Sequence, residues 1–158
     1  MARALVGIAA GLGLLALATL GDRWVPIVDH ANLVFHEAGH LILGLLSGRL
    51  AVYGGTLGQL VFPVLALVAF RRRREPLAAA LAAYWLCQNV LNIATYLGDA
   101  RTLALPLIGG AHDWQEILSR WGVLAWDTRL AALLRFCAWC GGLATSAWLA
   151  LHSQVATR

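Results

Sequence analysis

His36-Glu37-Ala38-Gly39-His40 is an HExxH. On a helix, residues four apart share a face, so both imidazoles point the same way. They can then share one zinc at about 2.0–2.1 Å per nitrogen. Glu37 stands next along the helix, near enough to act on a zinc-bound water without being a ligand. Zinc lowers that water's pKa towards about 7, and the carboxylate can take its proton and later deliver it to a leaving amine. The spacing therefore predicts Zn2+ as cofactor, His36 and His40 as its ligands, and Glu37 as the general base of a hydrolysis.

The surroundings of this segment raise its meaning. The chain has 158 residues, 60% hydrophobic and 13% charged, with a mean hydropathy of +0.71. Soluble domains average about 25% charged residues, so one integral membrane domain over 1–158 is expected. Ionisable groups inside a membrane are costly and functional by default. A net charge of +4, with four of the twelve basic residues packed into Arg71–Arg74, does not suit nucleic acid and reads as a cytoplasmic membrane flank. Cys87, Cys137 and Cys140 lie in apolar stretches and make no disulfide framework, and the CxxC of the last two reads as small packing residues.

Apolar runs predict an all-α bundle of about five spans, near 4–20, 24–47, 54–70, 76–97 and 130–152. The first run could also be read as a signal peptide, with Ala16-Leu17-Ala18 as a cleavage-like site. As a span, its Gly7 and Gly11 form a GxxxG that would let another helix approach, and a homo-oligomer is one expectation. The glycine-rich opening of the third span suggests a re-entrant segment near 51–59. Residues 98–129 form a wetter, interfacial stretch, in which Asp113 and Glu116 resemble a capping box opening a short helix. If the arginine block is cytoplasmic, five spans put the N-terminus outside, against which Arg3 argues.

Catalytic zinc usually takes three protein ligands. Counting from Trp24 puts the histidines near mid-membrane. Gln88, Asn89 and Asn92 then lie at a similar depth, and Asp99 lies nearer the far end. Depth favours the amides and ligand chemistry favours the aspartate. His112 and Asp113 qualify if their loop folds back. The amides could equally form interhelical hydrogen bonds.

An HExxH in a membrane helix, a Gly-rich segment, and a later span carrying Asn and Asp resemble the site-2 protease family of intramembrane zinc metalloproteases. That family's second motif is an Asn-rich, Pro-containing turn ending Leu-Asp-Gly. The nearest match is 89–99, where Asn89, Ile93 and Leu97 fit, Asn92 stands for the proline, and Gly98-Asp99 reverses the last pair. The resemblance covers roughly residues 30 to 100. It implies His36 and His40 as ligands, Glu37 as base and Asp99 as third ligand, in a peptidase of the bacterial inner membrane. Its substrate would be a membrane protein whose helix unwinds within the bilayer. Asn89, Asn92, Gly55 and Gln59 are candidates for contacting that strand, the last two as a backbone edge. Their replacement is expected to harm cleavage more than zinc binding. The missing Leu-Asp-Gly supports an alternative, a non-catalytic membrane scaffold or partner-binding protein of the same fold.

Overall fold

The computed structural model describes residues 1–20, 23–107 and 111–155. All of its regular elements are helical: α1 (Ala2–Leu17), α2 (Val28–Leu46), α3 (Gly48–Arg72), α4 (Pro76–Gly98), α5 (Asp113–Arg120), a 3-10 turn (Leu124–Trp126) and α6 (Asp127–Val155). Residues 108–110 of the expected interfacial stretch lie outside the described residues.

Among the described residues, three helical segments are long and apolar enough to cross a membrane: Gly48–Arg72, Pro76–Gly98 and Leu124–Gln154. The five-span expectation is not met. Gly7 of α1 meets Leu77 and Gly11 meets Tyr84. Further along α4, Asp29 of α2 meets Gln88 and Asn92, and His36 faces Tyr96. Residue numbers rise together in both contacts, so α1 and α2 run in one direction, one after the other, beside α4. Two separate spans would have to run antiparallel. The cause lies in the link between them. Arg23 and Ile27 take left-handed φ angles of 57° and 73°, which break the helix without reversing the chain. Length and hydropathy carry no information on that distinction.

The remaining helices alternate in direction. Ser47 separates α2 from α3, in extended backbone, with its hydroxyl accepting the Arg49 N–H at 3.2 Å. Arg74 closes α3 in the left-handed conformation, and Glu75 N–H reaches back to the Phe70 carbonyl at 3.0 Å. This is a Schellman ending, followed by Pro76 in the first turn of α4. Both ends of the described chain meet here: Ser153 Oγ lies 3.7 Å from Met1 Sδ, and Arg71 lies over the Trp148 ring. Arg3 and Arg71–Arg74 therefore share one end of the bundle. The α2–α3 turn, α5 and the start of α6 occupy the other, where Arg120 reaches the Arg49 carbonyl at 2.9 Å.

Two expectations on glycine need correction. Gly7 and Gly11 are consumed within the chain, beneath Leu77 and Tyr84, so this GxxxG is not a free dimer face. Residues 51–59 are regular helix inside α3, not re-entrant. Their glycines are there to let α2 come close. A Cβ on Gly54 would lie 2.2 Å from the Gly39 carbonyl oxygen, and one on Gly58 2.3 Å from that of Phe35. With their peptide groups engaged in the helix, these residues cannot offer the backbone edge expected of them. Cys137 and Cys140 are free and exposed on α6.

Candidate metal centre

The close α2–α3 crossing sets the position of the HExxH. Gly55 stands against both imidazoles: a Cβ there would lie 2.4 Å from His36 Nε2 and 2.7 Å from His40 Nε2. The missing side chain leaves the space in which the rings meet. His36 Nε2 and His40 Nε2 are 3.1 Å apart. Gly55 is seven residues from the start of α3, about 10 Å at 1.5 Å per residue. The pair thus sits towards one end of the bundle, not at mid-depth as counting from Trp24 suggests.

A carboxylate completes the group. Asp113 Oδ2 lies 3.0 Å from His36 Nε2 and 3.1 Å from His40 Nε2. The Asp113/Glu116 spacing predicts Asp113 as a helix cap. The cap is in fact His112, whose Nδ1 accepts the Gln115 N–H at 3.2 Å. That shift by one residue leaves the Asp113 side chain free to turn inward. Tyr96 holds it in place: its hydroxyl accepts the Asp113 N–H at 3.0 Å, and its ring packs on His112 with centroids 4.1 Å apart. Beneath, Ile117 and Leu118 of α5 are buried, so the short helix is anchored on the protein through one face.

The structure does not bring Asp99 to the histidines. Among the described residues, only His36, His40 and Asp113 form a group of three metal-type donors. Asp99 ends α4, where Oδ1 accepts from the Thr102 hydroxyl at 2.5 Å and Ala104 N–H at 2.9 Å. Its Oδ2 accepts Leu105 N–H at 3.0 Å and lies 3.6 Å from His112 Nε2. Burial alone would raise its pKa, but these hydrogen bonds and His112 outweigh it and hold the carboxyl below its ordinary value. Burial pushes the His112 imidazole the other way, below its ordinary value, against the attraction of Asp99 and Asp113. The reversed Gly98-Asp99 pair thus builds the corner that carries the 102–105 loop.

Three donor atoms with mutual distances of 3.0–3.1 Å nearly match one face of a zinc tetrahedron, whose edge is about 3.3 Å for bonds of 2.0–2.1 Å. His40 Nδ1 lies 2.7 Å from the Ala51 carbonyl, a contact that only an N–H can make favourable. A neutral His40 therefore keeps its proton on Nδ1 and turns the Nε2 lone pair to the centre, as a metal ligand requires. Lone pairs converging at this range repel unless a cation or a proton lies among them. The donor set fits a divalent transition metal.

The group lines a cavity of about 820 Å³ between α2, α3, α4 and the 105–107 loop, and Glu37 lines it too. Of the residues expected to contact substrate, Gln59 and Asn92 also line it. Asn89 does not: its amide donates to the Trp85 carbonyl of its own helix at 3.0 Å. Asn92 and Gln88 belong to a buried polar cluster around Asp29, which sequence reading did not single out. Asp29 Oδ1 accepts from Gln88, Asn92 and Asn32 at 2.6, 3.2 and 3.3 Å, and Gln59 donates to Asn92 Oδ1 at 2.8 Å. The amides thus tie three helices together, as the interhelical reading had it.

Comparison with known proteins leaves the site to speak for itself: no family model, no curated protein and no solved structure matches the chain.

Proposed function

We propose that the chain is a zinc-dependent intramembrane hydrolase whose substrate is a peptide bond of a membrane-embedded protein. The observation that carries the reading is the convergence of His36, His40 and Asp113 at 3.0–3.1 Å on a large cavity. His36, His40 and Asp113 would hold the metal, with Asp113 in the place that the family resemblance gives to Asp99. Bound there, zinc supplies Lewis acidity towards a carbonyl and a water. Glu37, beside His36 on α2 and on the same cavity, takes a proton and returns it to the leaving nitrogen. Gln59, anchored on Asn92, presents its amide to the cavity and can hold an unwound strand. If the Arg71–Arg74 block at the opposite end is cytoplasmic, the centre lies near the non-cytoplasmic face of a bacterial inner membrane.

The test is elemental analysis of detergent-purified protein. Near-stoichiometric zinc is expected, lost in His36→Ala/His40→Ala and in Asp113→Ala, and kept in Asp99→Ala and Glu37→Gln. Glu37→Gln should remove proteolysis. Zinc kept in Asp113→Ala but lost in Asp99→Ala would return the ligand role to Asp99. No zinc in any sample, after purification without chelators, would leave the second reading, a non-catalytic membrane scaffold. The use of Asp99 as a loop anchor favours that second reading over a strict family mechanism.

A further inference from the structure

A second polar site lies beside the first. Arg135 stands on α6, eight residues past its start at Asp127, within a segment apolar enough to cross a membrane. It is only half-buried, and its guanidinium makes one long contact, 3.5 Å from Nη2 to the Ala94 carbonyl. Arg23 reaches the same place from the α1–α2 link. Together they line a pocket of about 200 Å³ with Thr95, Asp99, Thr102 and Leu105. Among the described residues, the ion pairs involve His36, His40, Arg101, His112 and Arg120, and neither Arg23 nor Arg135 has a carboxylate within 4.0 Å. Asp99, the acid in the pocket, has both oxygens committed to the 102–105 loop.

Two guanidinium groups sharing a small pocket repel one another. An arginine in a membrane span ordinarily pairs with an acid, and it is costly when it does not. Arg23 is also held at a left-handed φ of 57°, a conformation that costs a non-glycine residue energy and tends to persist where function needs it. The repulsion and the missing counter-charge are both relieved by one kind of guest, an oxyanion held between the two forks. The pocket sits at the end of α4, where a lipid headgroup would lie, and Trp126, exposed at this end, marks the level of a membrane interface.

We infer that Arg23 and Arg135 form a binding site for the phosphate of an anionic phospholipid headgroup. The site shares Arg23, Thr95 and Leu105 with the large cavity, so an occupied site would set the wall of that cavity. The inference uses none of the metal ligands and stands whether or not zinc binds.

The experiment is thermal unfolding of the full chain in an uncharged detergent, titrated with dihexanoyl phosphatidic acid and, separately, with inorganic phosphate. Zinc content is read in the same samples. The lipid is expected to raise the midpoint, with affinity about tenfold weaker or worse in Arg23→Gln and Arg135→Gln, since a charge-assisted pair contributes that much. Arg135→Lys should retain part of the effect and shows that the position tolerates change. A shift with the lipid alone assigns the group to a headgroup. Equal shifts with inorganic phosphate support the oxyanion site and assign it to the free ion. No shift with either probe, or a shift undiminished in both glutamine variants, overturns the inference.

Discussion

Where α1 meets α4 and α6, glycines receive side chains; where α2 meets α3, Gly39, Gly54 and Gly58 receive backbone. In the first region a Cβ on Gly11 would lie 2.2 Å from the Tyr84 ring, one on Gly7 2.5 Å from a Leu77 methyl, and one on Gly142 2.4 Å from a Leu15 methyl. The contacts are apolar and close around a buried cluster of Leu15, Ala80, Tyr84 and Leu91. In the second region the obstacles to a Cβ are the Gly54 and Gly39 carbonyls themselves, at 2.0 and 2.2 Å. Side chains can turn aside and a helix backbone cannot. The first region spends its glycines on packing. The second spends them on drawing two helices close enough to place two imidazoles over a bare Gly55.

Substitutions rank by that difference. Gly54→Ala should have the largest effect, because it forces α2 and α3 apart. Overpacking of this kind costs about 3 kcal/mol or more when no side chain can yield. Zinc should be lost with it, and an unchanged unfolding midpoint would show that the backbones do not touch. Gly55→Ala should separate folding from binding. Its Cβ meets imidazole rings, so helicity by circular dichroism should survive while zinc falls to background. This reverses the expectation, drawn from the sequence, that Gly55 matters more for cleavage than for zinc, and retained zinc would restore it. Gly11→Ala should cost about 1–3 kcal/mol with zinc unchanged. Tyr84 cannot swing away easily, because its hydroxyl donates to Ser146 at 2.6 Å while Ser146 donates to the Gly142 carbonyl at 2.9 Å. Gly7→Ala should be nearly neutral, since Leu77 ends in a rotatable methyl and alanine recovers about 1 kcal/mol of helix propensity. A loss as large as that of Gly54→Ala would erase the distinction between the regions.

The smallest effect concerns the loop over the second region. Asp99 has its folded pKa lowered, so its contribution is complete above the unfolded value of about 3.9 and fades as pH falls through the folded one. Amide exchange at Ala104 and Leu105 should accelerate only in strong acid, and Asp99→Asn should remove that pH dependence. Acceleration beginning near pH 6 would assign the loop to a histidine instead.

The chemistry-bearing pair was readable from spacing, because i and i+4 on a helix share a face whatever surrounds them. The apolar lengths of α3, α4 and α6 were readable for the same local reason. Asp113 was harder to find, since it meets His36 across 77 residues of chain, and no local period encodes such a contact. Its signal was a histidine-aspartate pair opening a short amphipathic helix, and a one-residue error in the cap concealed which of the two faced inward. Gly54, Gly55 and Gly58 read as a loop because glycine weakens an isolated helix. Packing against Gly39 and the histidines overrode that preference. The stacking of α1 on α2 was invisible, because apolar runs report span length and not direction.

That stacking bears on how the chain enters a bilayer. Sixteen residues of α1 rise about 24 Å, short of a hydrocarbon core of about 30 Å. Its continuation, α2, carries Asp29, Asn32, His36, Glu37 and His40 and has little reason to leave water alone. Neither piece is a credible insertion signal without help. In a bilayer the order of closure would then matter: the polar face of α2 finds partners on α3 and α4, so it would settle after they are in place.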